Sequence, residues 1–493
     1  MTEAQPHFDF DLAIIGGGSA GYAAARTASD AGVKTVIIEG GEDVGGLCIL
    51  RGCMPTKALL YAAEVMHLAG QAEVWGIHKR ELSFNFSEVM ARKNALIKEF
   101  ADFREQQLTK GKFAFIRANA RFTDAHTLAL LPHQIHSRRR NEASISVPNH
   151  RGQKPAGDLP TKLTAKNFLI ATGSTFSPSP LAQLNEIDCL NSDTALKLTH
   201  LPGSLIILGG GAVGVEFAQF FARFGVKVTL IQRSPHVLHE FDSDAAAELE
   251  KVFRREGIVV YTGTKLLDAR RSAGQKEVVL EHEQRTIRVH ADEVFFALGR
   301  LPNVAGLGLE AIGVQLEYHR IVTDAHMQTT IPHIYAAGDC AGLHEIVHIA
   351  VQQGEIAAYN FAHPSQMKRM DYRLLTEVIF TDPQIATVGL TEKRAHVRNI
   401  PYLVASYPFG DHGKSLIMEA RDGFVKLLAD PMTGEIIGGC CVGPFGGELI
   451  HEIIAAMHSR MTVHQLAAMP HYHPTLAEIW TYPAEELAAK IIK

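Results

Sequence analysis

The chain has 493 residues, too many for one hydrophobic core, and at about 100 to 200 residues per domain three or four units are expected. Its 48 basic and 53 acidic residues leave a net charge of −5, which argues against nucleic acid or an anionic membrane as the main partner and leaves small neutral or anionic ligands open. Six cysteines in so long a chain are not a secreted disulfide framework, and one closely spaced pair among them fits a catalytic dithiol in a reducing compartment, so the cytoplasm is the expected location.

In chain order, the opening MTEAQPHFDF is acidic and runs straight into an apolar strand, so neither a signal nor a transit peptide is expected. LAIIGGGSAGYAAARTASDAGVKTVIIE then reads as strand, glycine turn, helix, strand, ending on Glu39. Gly16 permits the turn, Gly18 lets the backbone approach a pyrophosphate, and Gly21 lets helix and strand pack closely. The helix N-terminus turns free N–H groups toward the phosphates.

GGLCILRGCMPTK follows, with Cys48 and Cys53 five residues apart. In a regular helix such a pair would sit roughly 8.6 Å apart at Cα, whereas a disulfide needs less than about 7 Å. The backbone is therefore expected to leave the helix here, with Gly45, Gly46 and Gly52 supplying freedom and Pro55 fixing the next turn. The setting reads as a redox-active disulfide. Beyond it, residues 56–110 read as helical and lead to short strands. The stretch 132–162 is polar, basic and rich in turn formers, an exposed excursion in which Arg138 to Arg140 form a solvated loop.

SLIILGGGAVGVEFAQFFARFGVKVTLIQR repeats the opening design with Gly209, Gly211 and Gly214, and ends on Gln232 and Arg233. Glu39 can accept hydrogen bonds from both ribose hydroxyls, whereas Gln232 is neutral and Arg233 would attract a 2′-phosphate that a carboxylate repels. The first site thus suits an unphosphorylated ribose and the second tolerates NADP. The apolar stretches near 12–25 and 201–215 are broken by glycines and flanked by charge, so they are buried strand-turn-helix units rather than membrane spans.

ADEVFFALGRLPN and TTIPHIYAAGDCAG, after residue 290, are two buried strands ending in glycine turns, and Asp339 presents a carboxylate where the second one ends. Past 370, segments such as TEVIFTDPQIATVGLTE and a closing helical region read as a separate α+β domain. Neighbouring side chains on a strand face opposite ways, so Cys440 and Cys441 are expected to be ordinary packed residues. In HYHPTLAE, Thr475 to Glu478 fits a capping box, which on local grounds would make Glu478 a helix cap.

Taken together, the two GxGxxG units around a CxxxxC pair, ATGS at 171–174, GRLPN at 299–303, IYAAGDC at 334–340, FTDPQIATVGLTE at 380–392 and HYHPTLAE at 471–478 resemble the class I pyridine nucleotide-disulfide oxidoreductases, in the family's order over nearly the whole chain. The resemblance implies an α/β fold of two Rossmann-like domains, for FAD and NAD(P), plus an α+β C-terminal dimerisation domain. The divisions expected are 1–172 for the first part of the FAD domain, 173–290 for the NAD(P) domain, 291–368 for a central domain completing the FAD site, and 369–493 for dimerisation.

It also implies roles. Gly16, Gly18, Gly21 and Glu39 would hold the ADP half of FAD, with Thr172, Gly173, Asp339 and Gly299 in the cofactor-binding segments. Lys57 resembles the family lysine beside the flavin and Glu216 its ion-pair partner, while Gly209, Gly211, Gly214, Gln232 and Arg233 would hold NAD or NADP. A hydride would pass from nicotinamide to flavin, and electrons on to the disulfide. Cys53 would be the sulfur nearest the flavin and Cys48 the interchange thiol. Exchange needs a thiolate, which a cysteine of pKa about 8.5 supplies poorly at neutral pH. His473, from the partner subunit and oriented by Glu478, would be the acid-base residue, making the enzyme an obligate homodimer.

No metal site, nucleic acid or membrane partner is expected. A vicinal pair like Cys440-Cys441 occurs in mercuric reductases, but there at the extreme C-terminus and without the histidine kept here; soluble transhydrogenases lose one redox cysteine; and no substrate-binding arginine pattern of glutathione reductase is evident. A lipoamide-type dithiol/disulfide substrate is the leading expectation. The alternatives are an NADPH-dependent thiol, metal or quinone reductase and, in another class, a non-catalytic flavoprotein, against which Cys48, Cys53 and His473 stand together.

Overall fold

A computed structural model describes residues 7–78, 81–132, 145–146 and 161–491. Most of the 132–162 excursion, Arg138 to Arg140 included, lies outside the described residues. The chain forms two compact units, the first built from Met1–Pro55, Arg92–Ser177 and Arg300–Asp371 and the second from Thr56–Ala91, Pro178–Gly299 and Tyr372–Lys493.

The first unit is built on a parallel sheet in the order Ala114–Arg117, Thr35–Glu39, Phe10–Ile15, Lys162–Ile170, Ile334–Ala336. The register sets Ile14 between Ile37 and Leu169, so the central strand is apolar on both faces, as a sheet covered by helices requires. Ala13, Ile15, Phe168, Ile170 and Ile334 are buried on one side of it. Helices Ser19–Asp30 and Val347–Ala362 meet at the glycine Gly354, where a Cβ would fall 2.3 Å from the Ala20 carbonyl oxygen.

Within the second unit, a parallel sheet runs Val259–Tyr261, Lys227–Ile231, Ser204–Leu208, Glu293–Phe296, with the antiparallel strands Lys265–Ser272, Gln275–His282 and Arg285–Ala291 inserted in the chain between Tyr261 and Glu293. A five-stranded antiparallel sheet, Thr376–Ile379, Gln384–Gly389, Ile436–Gly443, Phe424–Ala429, Leu403–Pro408, carries the C-terminal helices on a core that includes Ile450, Ile453, Trp480 and Leu487. This is the mixed α/β fold with an α+β C-terminal part that the sequence predicts.

The stretch 56–110 is not one helix. Cys53–Gln71 and Phe86–Thr109 are helical, and between them the short 3₁₀ turn Ala72–Trp75 ends on Gly76 at φ +73°. A left-handed glycine stops the helical hydrogen-bond ladder there.

Candidate active site

The two glycine turns are copies of each other in three dimensions. Gly16 has φ +107° and Gly209 φ +103°, and a Cβ on either would fall 2.3 and 2.2 Å from a carbonyl oxygen, of Ala171 and of Ala297 respectively. Gly21 and Gly214 would each place a Cβ 1.9 Å from the carbonyl of the turn's first glycine. Gly18 and Gly211 are the residues before helices Ser19–Asp30 and Ala212–Arg223, and neither helix has a side-chain cap, so the first N–H groups stay available. A Cβ on Gly211 would meet nothing within 4 Å, so the space beside it suits a ligand rather than the fold.

The side chains reading each turn differ. Glu39 Oε2 accepts the Gly17 N–H at 2.8 Å and Oε1 accepts the Gly41 N–H at 2.6 Å, which fixes the carboxylate and leaves lone pairs on both oxygens. Gln232 occupies the same place with its Oε1 accepting the Gly210 N–H at 3.1 Å. An N–H needs an acceptor, so the amide oxygen is committed inward and the NH₂ group remains for a ligand. Arg233 is exposed beside it.

The cysteine pair sits where the backbone breaks. Cys48 lies in helix Gly46–Arg51, Gly52 departs from helical geometry at φ −126°, ψ −116°, and Cys53 opens the next helix, on which Lys57 lies one turn later. A side chain at Gly52 would press within 3.0 Å of the Leu47 carbonyl and 3.2 Å of Cys48 Cα. Gly46, at φ +77°, would place a Cβ 2.8 Å from Gly18 Cα, so glycine there brings the cysteine loop against the first phosphate-type turn. The residues present fit a dinucleotide lying along that turn.

Both cysteines are half-buried. At the other four burial disfavours the thiolate, pushing Cys189 and Cys340 up to about 11 and Cys440 up to about 12, and raising Cys441 well above the usual range. Cys440 and Cys441 point into different cores from opposite faces of one strand, as their adjacency predicts. Arg104 is a residue that motif reading missed. Its guanidinium stands 4.1 Å over the Tyr22 ring; burial lowers its pKa, while Tyr22 and Cys48 act to raise it. A cation within electrostatic reach of Cys48 favours the thiolate.

Three distant segments meet in the first unit. Ser174 Oγ donates to Asp339 Oδ2 at 2.7 Å and accepts from Arg300 Nε at 2.8 Å, and Arg300 Nη2 also reaches the Ser174 carbonyl at 2.9 Å. Thr172 Oγ1 donates to the Asn303 carbonyl at 2.6 Å, and Asn303 N–H to the Gly173 carbonyl at 2.9 Å. Gly173 and Gly299 both take positive φ, +71° and +107°. Ser174 and Arg300 lie inside motifs read from the sequence, but their joint hold on Asp339 is visible only in the fold.

In the second unit, Lys57 Nζ lies 2.9 and 2.8 Å from the two oxygens of buried Glu216, whose Oε1 also accepts the Phe380 N–H at 3.0 Å, and the ammonium stands 4.6 Å over the Phe380 ring. Farther on, His473 Nδ1 is 3.0 Å from Glu478 Oε2 and 3.2 Å from Oε1. The His473 side chain is 79% exposed, and that of Glu478 only 11%. Glu478 is not a helix cap, since Ala477–Trp480 is a 3₁₀ turn that starts after Leu476 without a side-chain cap. His471, two residues earlier, is turned away onto Glu452 at 2.6 Å.

A half-buried cysteine pair, two dinucleotide-type turns and a carboxylate-anchored histidine can together carry disulfide redox chemistry. Two family models match the chain: pyridine nucleotide-disulphide oxidoreductase over residues 10–354, and the dimerisation domain of the same family over residues 375–484. The chain belongs to the pyridine nucleotide-disulphide oxidoreductases.

This oxidoreductase is 34% identical to a dihydrolipoyl dehydrogenase of Bacillus subtilis over 476 residues, covering 95% of this chain and 96% of the relative. It is 32% identical to the mitochondrial dihydrolipoyl dehydrogenase of Schizosaccharomyces pombe, with 97% and 89% covered. Among solved structures, LpdA of Mycobacterium tuberculosis superposes with a TM-score of 0.83 at 28% identity, covering 97% of this chain and 99% of that one. The protein is thus an FAD-dependent NAD(P)-disulfide oxidoreductase that carries the family's dimerisation domain. Among the described residues no helix is long and apolar enough to cross a membrane.

Proposed function

We propose that this oxidoreductase acts on a lipoyl-type dithiol as a dihydrolipoyl dehydrogenase, working as a cytoplasmic homodimer in which His473 and Glu478 of one protomer serve the Cys48-Cys53 pair of the other. The observation that carries the reading is the His473-Glu478 pair: a buried carboxylate accepts from Nδ1 and leaves Nε2 of an exposed imidazole directed outward. An imidazole held this way takes a proton at Nε2 as a thiol becomes a thiolate and returns it when the thiol reforms.

When bound, FAD supplies the two-electron path between nicotinamide and disulfide. Glu39 and the first glycine turn hold its ADP half in this reading, Asp339 is fixed for it by Ser174, and Glu216 sets the position of the Lys57 ammonium. The division into FAD, NAD(P), central and dimerisation domains at 1–172, 173–290, 291–368 and 369–493 belongs to the same proposal. Gln232 favours a second reading, an NADPH-using reductase of thiols, metals or quinones, because a neutral amide there and the exposed Arg233 suit a 2′-phosphate better than a carboxylate does.

Turnover of dihydrolipoamide with NAD, set beside NADPH with oxidised dithiols, separates the two. Failure to use dihydrolipoamide overturns the first reading. Anaerobic titration with NADH or NADPH adds a check on the chemistry: a long-wavelength thiolate-flavin band at two electrons is expected, and its absence argues against disulfide catalysis.

A further inference from the structure

Glu478 does not face His473 alone. His412, which is 0% exposed, stands beside the carboxylate with Nε2 3.3 Å from Glu478 Oε1. That distance is long for an N–H···O bond and the alignment falls short of one, so Nε2 is a buried polar atom with no formed hydrogen bond among the described residues, standing beside the Glu478 carboxylate. The other ring nitrogen, Nδ1, lies 2.8 Å from Ser415 Oγ, which is equally buried.

The proton positions follow from what each group can do. An ionised carboxylate only accepts, so Nε2 carries the hydrogen. Burial holds His412 below the ordinary histidine range; Glu478 pulls it up and His473 pushes it further down. A neutral ring with hydrogen on Nε2 leaves Nδ1 bare, and the Ser415 hydroxyl donates to it. The titratable groups facing His412 are Glu478, His473 and Tyr482, whose ring centroid is 6.4 Å away, and Phe409 lies edge-on at 6.5 Å.

We infer that His412 is a positioning residue of the acid-base pair: its Nε2–H, backed by Ser415, holds the Glu478 carboxylate in the orientation that accepts Nδ1–H of His473 and keeps His473 Nε2 as the proton-exchanging atom. The inference rests on the reading of His473 given above. A donor on Glu478 also tempers its basicity, so losing it leaves the carboxylate a stronger acceptor for Nδ1–H of His473.

The test uses the holoenzyme, with the pH profile of kcat/KM for whichever of dihydrolipoamide or oxidised dithiol it turns over. His412→Leu is expected to move the acid limb upward by about one pH unit, the scale of one hydrogen bond to a charged group. His412→Gln, whose amide reaches the place of Nε2, keeps a donor and leaves the limb within about 0.3 pH units of the parent by the same reasoning. Ser415→Ala, which spares the imidazole, moves the limb in the same direction by less and serves if the leucine variant does not fold.

Acid limbs that stay at the parent position in both His412→Leu and Ser415→Ala, with only the melting temperature lowered, overturn the inference and make His412 a packing residue. His473→Ala keeps the two failures apart. If that variant retains normal turnover, the reading of His473 has failed; if it is inactive while the limbs stay fixed, the inference about His412 alone has failed.

Discussion

Replacing Gly211 by alanine separates nucleotide binding from folding. Its backbone, φ −78° and ψ −177°, is open to any residue, and a Cβ there meets no protein atom within 4 Å. The flanking glycines are different: Gly209 has φ +103° with a Cβ 2.2 Å from the Ala297 carbonyl, and Gly214 would place one 1.9 Å from the Gly209 carbonyl. Alanine for glycine at a compatible backbone stabilises by about 0.4–1 kcal/mol through the unfolded chain. Alanine is also the poorer N-cap, by about 1 kcal/mol, so the two effects nearly cancel.

The melting temperature of Gly211→Ala is therefore expected within about 2–4 °C of the parent, with FAD content and visible spectrum unchanged. In the proposed reading the methyl group occupies the approach of a pyrophosphate to the helix N-terminus. Losing one hydrogen bond to a charged group costs about 1.5–3 kcal/mol, so the KM for the pyridine nucleotide should rise by about 10- to 100-fold. Steady-state kinetics, the flavin-to-protein ratio and a thermal melt read all three. An unchanged KM in a folded variant refutes the phosphate assignment, and a large fall in melting temperature refutes the argument from open space.

Cys48→Ser should abolish turnover with a disulfide substrate while retaining FAD; normal turnover would remove Cys48 from the exchange step. In the reduced enzyme at about pH 8 only Cys48 and Cys53 should react rapidly with a thiol reagent, because burial raises Cys189, Cys340, Cys440 and Cys441; a third fast thiol in the folded protein contradicts this, and all six should react on unfolding. Lys426→Met should destabilise by about 3 kcal/mol, since a 3%-exposed ammonium lies 3.2, 2.6 and 2.8 Å from Asp242, Asp244 and Glu392, of which Asp242 stays buried against the backbone N–H groups of Glu392 and Lys393 without a cation. Burial lowers the Lys426 pKa but the three carboxylates raise it further. A raised lysine gives its full stabilisation below the ordinary lysine value and loses it only above, so denaturant melts should show the same gap from about pH 6 to pH 9.

The parts of this fold legible in the sequence are those whose signal is local. Gly16 and Gly209 are needed because the turn takes positive φ against a carbonyl, and that need appears as the same spacing twice. The break expected between Cys48 and Cys53 falls at Gly52, where a side chain would press on the Leu47 carbonyl. Where the cause is distant, the reading falls short: Ser174 and Arg300 converge on Asp339 from separate segments, and His412, between Asp411 and Gly413, carries no motif that points to Glu478. Thr475 to Glu478 shows the converse, a local pattern overruled because the carboxylate has imidazoles to face and the turn is 3₁₀.

The repeated turn carries this distinction into chemistry. Both copies close on a side-chain oxygen that accepts a backbone N–H, Glu39 from Gly17 and Gln232 from Gly210. The backbone therefore does not distinguish the two dinucleotide sites. What differs is the atom left over, a carboxylate oxygen in the first turn and an amide NH₂ in the second. One accepts from a ribose hydroxyl and repels a phosphate, and the other donates to either, so if the second turn holds the pyridine nucleotide, as proposed, its choice between the two forms would turn on that amide and the arginine next to it.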